Sequence, residues 1–163
     1  MTQVLEKQIV QGNSDCEEFD VLIVGAGISG IGSAHHLKTQ CPGKSYAVLE
    51  AKEDFGGTWH THRYPGVRSD SDLYTFGYRF KPWVGPPIAT AEAILKYLRE
   101  VIAENDLAGN IRYNTTITRC SWSSAERKWT VETRASNGTE AKTYRCTFLW
   151  MCQGYYDHQN PYL

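Results

Sequence analysis

The first eighteen residues, Met1 to Glu18, are mostly polar, and the pattern turns apolar at Phe19. Asp20-Val21-Leu22-Ile23-Val24 is a short β-branched run, the pattern of a strand buried on both faces. Gly25-Ala26-Gly27-Ile28-Ser29-Gly30 breaks it. Ile28, Ile31, Ala34 and Leu37 then recur at helical spacing until Cys41-Pro42-Gly43 stops the helix. Ser45-Tyr46-Ala47-Val48-Leu49-Glu50 reads as a second buried strand. A strand, a glycine turn, a helix and a strand over about 30 residues make a parallel, right-handed unit.

From Asp54 to Pro87 the texture is loop-like, broken by Gly56, Gly57, Pro65, Gly66, Gly77, Pro82 and Gly85, with aromatic residues and Arg interleaved. A long irregular segment inside a compact domain usually serves function. Thr90 has the character of a helix N-cap, and Ala91, Ile94, Leu95, Leu98 and Ile102 form an apolar stripe that should end between Asn105 and Gly109. Three strands are predicted beyond it, over Thr115 to Trp122, Lys128 to Arg134 and Lys142 to Cys152. Ser123 to Arg127 and Ser136-Asn137-Gly138 supply the turns. The last strand ends wholly apolar, as if re-entering a buried sheet. The expected fold is α/β and Rossmann-type: a central parallel sheet started by residues 20–25 and 45–50, with a small antiparallel β-meander at 114–145.

Composition narrows the class. A chain of 163 residues suits one domain and buries roughly 70% of its unfolded surface. Seventeen Lys and Arg against 18 Asp and Glu leave a formal charge of −1, which argues against nucleic acid as a partner. Hydrophobic residues at 41% suffice for a packed core, and no apolar run reaches the roughly 20 residues of a membrane span. Five cysteines without a C-x-x-C pair suggest reduced thiols, not a disulfide framework or a zinc site. With no apolar leader at the N-terminus, the expected location is cytoplasmic, and the sequons at Asn114 and Asn137 read as chance matches. His35-His36, His60 and His62 lack Cys or carboxylate partners at ligand spacing, so no metal is expected.

The glycine turn carries the chemistry. In G-x-G-x-x-G the first Gly permits the tight turn and the second lets backbone approach a pyrophosphate. The third lets the helix pack against the strand, and the helix N-terminal amides face the phosphates. Here Gly25, Gly27 and Gly30 occupy those places, with Ile28 and Ser29 between. Glu50 follows Gly25 by 25 residues, near the spacing of the acid that accepts from ribose hydroxyls. An acid there repels a 2′-phosphate, so the turn reads as a site for FAD or NAD(H), not NADPH. A turn of this shape that holds no ligand is the alternative.

The next motifs are Gly56-Gly57-Thr58-Trp59 and Arg63-Tyr64-Pro65-Gly66-Val67-Arg68-Ser69-Asp70. With the glycine turn they resemble the N-terminal part of the class B flavoprotein monooxygenases: flavin-containing monooxygenases and, more closely, Baeyer–Villiger monooxygenases. The resemblance is specific from Asp20 to Asp70 and looser to Tyr155. It implies FAD at the glycine turn, with Gly57, Thr58 and Trp59 along the flavin. Arg68, Ser69 and Asp70 would lie near flavin and NADP, Arg68 and Asp70 being the catalytic candidates. Ile117 falls where the family's backbone meets the adenine, and Cys152-Gln153-Gly154 falls where a strand returns beside FAD, with Gly154 at the turn. The implied reaction is reduction of FAD by NADPH, then oxygenation of a ketone or a soft nitrogen or sulfur atom through a C4a-peroxyflavin.

By the same resemblance, residues 1–18 are an extension, 19–155 the FAD-binding domain, and 156–163, with Asn160-Pro161, the start of a crossover linker. A second glycine-rich fold for NADPH, a return segment and a fingerprint of the type F-x-G-x-x-x-H-x-x-x-W are not in the sequence. The chain then reads as a fragment, a truncated product or a stand-alone FAD-fold half, with an incomplete NADPH site and no activity alone. Its partners would be a small-molecule substrate, O2 and the missing C-terminal portion. A cofactor-binding or interaction module without activity of its own, and an NAD(H)-binding dehydrogenase half, are the competing readings.

Overall fold

The computed structural model describes residues 16–135 and 141–156. Strand β1 (Cys16–Val24) runs into helix α1 (Ile28–Gln40) and strand β2 (Tyr46–Leu49). The long segment that follows holds two single-turn helices, α2 (Thr58–Thr61) and α3 (Leu73–Phe76). Helix α4 (Ala91–Glu104) comes next, then the short β3 (Ile111–Arg112) and three long strands, β4 (Thr115–Ser123), β5 (Lys128–Ala135) and β6 (Thr143–Met151). These strands form one sheet in the order β3-β2-β1-β6-β5-β4. β3, β2, β1 and β6 are mutually parallel, whereas β4, β5 and β6 pair antiparallel. The expected α/β architecture is therefore present, and β6 belongs to both halves: Trp129 to Glu132 flank its start, and β1 flanks its whole length.

Val21 to Val24 lie inside the sheet, with Tyr46 to Leu49 on one side and Phe148 to Met151 on the other. Their side chains alternate between two cores. Val21 and Ile23 join Ile31 and Ala34 of α1 and Ile94, Leu98 and Val101 of α4. Leu22 joins Ala47, Leu49, Val131, Tyr144 and Cys146 on the other face, which the antiparallel strands cover. Each such aliphatic side chain stabilises the fold by about 1.5–3 kcal/mol. Both faces of Val21 to Val24 and of β2 are thus dry, which is why these stretches read as unbroken apolar runs.

One expected boundary is corrected. Cys16 to Glu18 are the first residues of β1, not part of an extension. Their polar character suits an outer end of the strand: Glu18 pairs with Lys128, and Glu17 with Lys142 at 3.4 Å. Residues 1–15, the turn at Asn137-Gly138 and the linker from residue 157 lie outside the described residues. Asp20 ties the start of β2 to β1, accepting from the Ser45 amide at 2.9 Å, the Ser45 hydroxyl at 2.8 Å and Lys44 Nζ at 3.0 Å. The Ser45 amide, foremost, holds the Asp20 carboxyl down to about 2. Because the folded value lies below the unfolded one, this contribution is present above about pH 4 and is lost as the pH falls toward 2. Asp20→Asn should therefore flatten the acid limb of a stability-versus-pH curve between those values, and an unchanged limb would discount the tie.

Candidate functional site

The glycine turn leaves the end of β1 and enters α1. Gly25 has φ +96°, and a side chain there would come within 2.8 Å of the Cys152 carbonyl, so only glycine lets the chain after β6 cross this point. A Cβ on Gly30 would stand 1.8 Å from the Gly25 carbonyl oxygen, so α1 packs directly on the turn. Gly27 is the N-cap of α1, no side chain caps the helix, and its first turn carries no acidic residue. The amides of Ile28, Ser29 and Gly30 precede the first intrahelical donor, Ile31, which bonds the Gly27 carbonyl at 3.0 Å. Ser29 is exposed beside them. This end of the helix suits an anion.

Glu50 sits at the end of β2, only 7% exposed. One carboxylate oxygen accepts from the Ala26 amide at 2.7 Å and the other from the Lys52 amide at 2.9 Å. The acid thereby fixes the middle of the glycine turn, a role its position in the sequence did not reveal. Each oxygen keeps a further lone pair for a hydroxyl donor. β4 is attached here too, since the Thr115 amide bonds the Glu50 carbonyl at 2.8 Å. Ile117, two residues on, packs against the core of Leu22, Ala47 and Leu49.

The segment from Asp54 reaches the turn through its glycines. The Gly56 amide bonds the Ala26 carbonyl at 2.9 Å, and Gly57, at φ +54°, would place a Cβ 3.2 Å from the Gly27 Cα. Thr58 is exposed and Trp59 half-buried, its ring stacked on Phe76 at 6.4 Å and 10°. Arg68 to Asp70 form a turn held to the start of α4: Arg68 bridges Thr90, and the Ser69 amide bonds the Ala89 carbonyl at 2.9 Å. Ser69 is buried and its hydroxyl is engaged with Ser71, whereas Arg68 and Asp70 are exposed. Arg68 donates through Nε to the Gly66 carbonyl.

β6 delivers Cys152, whose amide bonds the Val24 carbonyl at 2.8 Å and whose thiol lies 3.7 Å from the Ser33 hydroxyl. Gly154 follows in an exposed turn at φ +71° with open space around its Cα. The phenol pKa of Tyr156 is raised, first by the Tyr155 hydroxyl and also by the charge of Asp70. The structure thus gathers Gly25 to Gly30, Glu50, Gly57 and the end of β6 at the C-terminal ends of the parallel strands β1, β2 and β6. Sequence reasoning missed Tyr78, whose hydroxyl donates to the Ile28 carbonyl. It also missed that Phe76 stacks on Trp59, because an aromatic residue in a single-turn helix carries no periodic signal. Among the described residues no three His, Cys, Asp or Glu side chains converge on a point, and no helix is long and apolar enough to cross a membrane.

Residues 23–87 match the family model of an NAD(P)-binding Rossmann-like domain. Over 147 residues, 90% of the chain, the sequence is 47% identical to the FAD-containing monooxygenase EthA of Mycobacterium tuberculosis. The chain spans 30% of that relative's length. Among solved structures, a steroid monooxygenase bound to NADP superposes with a TM-score of 0.75 at 33% identity. That likeness covers 85% of this chain and 26% of the other. An open structure of cyclohexanone monooxygenase gives the same TM-score at 26% identity, over 85% of this chain and 27% of that one.

Proposed function

Since this chain is related over nine-tenths of its length to flavoprotein monooxygenases, we propose that it is the FAD-binding portion of an NADPH-dependent flavin monooxygenase. The observation that carries this reading is the uncapped N-terminus of α1, opening between Glu50 and the Gly57 backbone. FAD fits the residues there: free amides for a pyrophosphate, an acid for ribose, and glycine backbones and the half-buried Trp59 for a flat ring. Bound FAD would supply the redox chemistry, taking two electrons from NADPH and using O2 to oxygenate a ketone or a soft nitrogen or sulfur atom.

The chain's own residues bind and orient. The amides of Ile28, Ser29 and Gly30 hold the pyrophosphate. Glu50 accepts from the ribose hydroxyls while keeping the turn in register. Ile117 lies toward the adenine, Thr58 and Trp59 line the flavin, and Gly154 flanks it. The guanidinium of Arg68 and the carboxylate of Asp70, both exposed, would orient the nicotinamide, with Ser69 fastening their segment through Ser71. A small-molecule substrate, O2 and the remainder of a longer fold are the partners, and the cytoplasm is the compartment.

Titrating the purified chain with FAD, followed by its visible absorbance bands, tests this. Glu50→Ala removes charge-assisted hydrogen bonds and should weaken FAD by about tenfold to a hundredfold. Failure of the unsubstituted chain to bind flavin, or indifference of binding to Glu50→Ala, would refute the reading. The matched family description supports a second candidate ligand, NAD(H). Displacement of bound FAD by micromolar NADH would favour that dehydrogenase-like reading.

A further inference from the structure

We infer that Tyr78 is a positioning residue, locking the flavin-lining segment onto the phosphate-facing end of α1; this rests on the FAD reading above. Two of the contacts that segment 54–87 makes with α1 and the turn before it bracket the flavin-lining residues. The first is the glycine contact, Gly56 on Ala26 and Gly57 against Gly27. The second is Tyr78, whose hydroxyl donates to the carbonyl of Ile28, the first residue of α1. Its ring lies over Gly32 one turn on, so closely that a Cβ there would come within 2.9 Å of Cε1. Gly32 therefore makes the seat that the ring occupies. Between the two attachments hang Thr58, Trp59 and the Arg68–Asp70 turn, with Trp59 and Phe76 stacked across the span.

Tyr78 is itself held firmly. Its ring stacks on Phe80 at 4.7 Å, and Phe80 stacks on His35 of α1 at 3.5 Å. Its amide donates to the Tyr97 hydroxyl at 2.8 Å, and that hydroxyl donates to the Lys81 carbonyl at 2.6 Å. Buried among these rings, the Tyr78 phenol is pushed far above its ordinary pKa, so it remains a donor at every working pH. α4, through Tyr97, and α1, through Ile28 and Gly32, thus fix one side chain from both sides. That side chain sets the distance of the flavin-lining segment from the helix that faces the phosphates.

The test compares two ligands that share one half. ADP engages the glycine turn and Glu50, whereas FAD also engages segment 54–87. Tyr78→Phe keeps the ring and removes only the hydroxyl. It should weaken FAD by about tenfold, the value of one buried hydrogen bond, while ADP changes less than about twofold. Gly32→Ala, which crowds the ring from its seat, should give the same split, and flavin fluorescence quenched by Trp59 should partly return in both variants. Equal losses for FAD and ADP would reveal a merely structural role and overturn the inference, as would unchanged FAD affinity in Tyr78→Phe. Absence of FAD binding by the unsubstituted chain would instead refute the cofactor reading on which the inference stands.

Discussion

Gly30→Ala should lower the melting temperature by about 6–12 °C and abolish detectable FAD binding. In an exposed helix the same change would stabilise by about 1 kcal/mol through propensity alone. Here the new methyl would sit 1.8 Å from the Gly25 oxygen and 3.5 Å from Ile23 Cγ2, both on the strand side of the turn. α1 must then move away from β1, separating the helix amides from Glu50. Overpacking of this kind costs about 3 kcal/mol, and in a chain of this size each kcal/mol shifts melting by about 2–4 °C. The clash therefore outweighs the propensity gain. Gly43→Ala is the control, because a Cβ there meets nothing within 4 Å. Melting of Gly30→Ala within a degree or two of the parent, with flavin still bound, would show that close packing is not the reason for glycine at this place.

The second large effect concerns turnover. With FAD bound, this 163-residue chain should be bleached by NADPH under anaerobic conditions very slowly or not at all, whereas a longer chain including the rest of the relatives' length should be bleached rapidly. Hydride transfer needs the nicotinamide held in contact with the flavin, and positioning of this sort accounts for many powers of ten in rate. The sequence holds a single G-x-G-x-x-G, which on the reading proposed above takes FAD. Arg68 and Asp70 are both exposed, so on the reading proposed above they would orient a nicotinamide without enclosing it. Stopped-flow absorbance at the flavin band is the measurement. Rapid bleaching by this chain alone would place the whole nicotinamide site within residues 54–87.

The β1-α1-β2 unit was legible because three signals coincide there: dry β-branched runs, a glycine turn whose steric reasons are local, and an acid at a fixed spacing. The antiparallel strands were legible from their alternation and from the turn after Trp122. What escaped had no local cause. Cys16 to Glu18 look like a polar tail until Lys128 and Lys142, more than a hundred residues on, supply their partners. β3 is only two residues long and exists because β2 offers it an edge. In the site, Glu50 was read from its spacing as an acid for ribose, but its grip on the Ala26 amide shows only once the chain is folded. Tyr78 and Phe76 are invisible to periodicity, since their partners are one backbone carbonyl and one indole face. Ser69 was grouped with Arg68 and Asp70 by motif, yet its hydroxyl is turned inward to Ser71.

The sheet order also sets a timetable for folding. Val21 pairs with Tyr46 on one side and with Phe148 on the other, a partner roughly five times farther along the chain. Closing the longer loop costs about 1.4 kcal/mol more in chain entropy, and such distant pairings form slowly. On a ribosome, β1, α1 and β2 would emerge early and wait with one flank of β1 uncovered until β6 had been made. The last arrival also brings Cys152 across Gly25. The pairing of β6 with β1 and the closing of the chain over the glycine turn are therefore one event, and a ligand bound at that turn during synthesis would act on it.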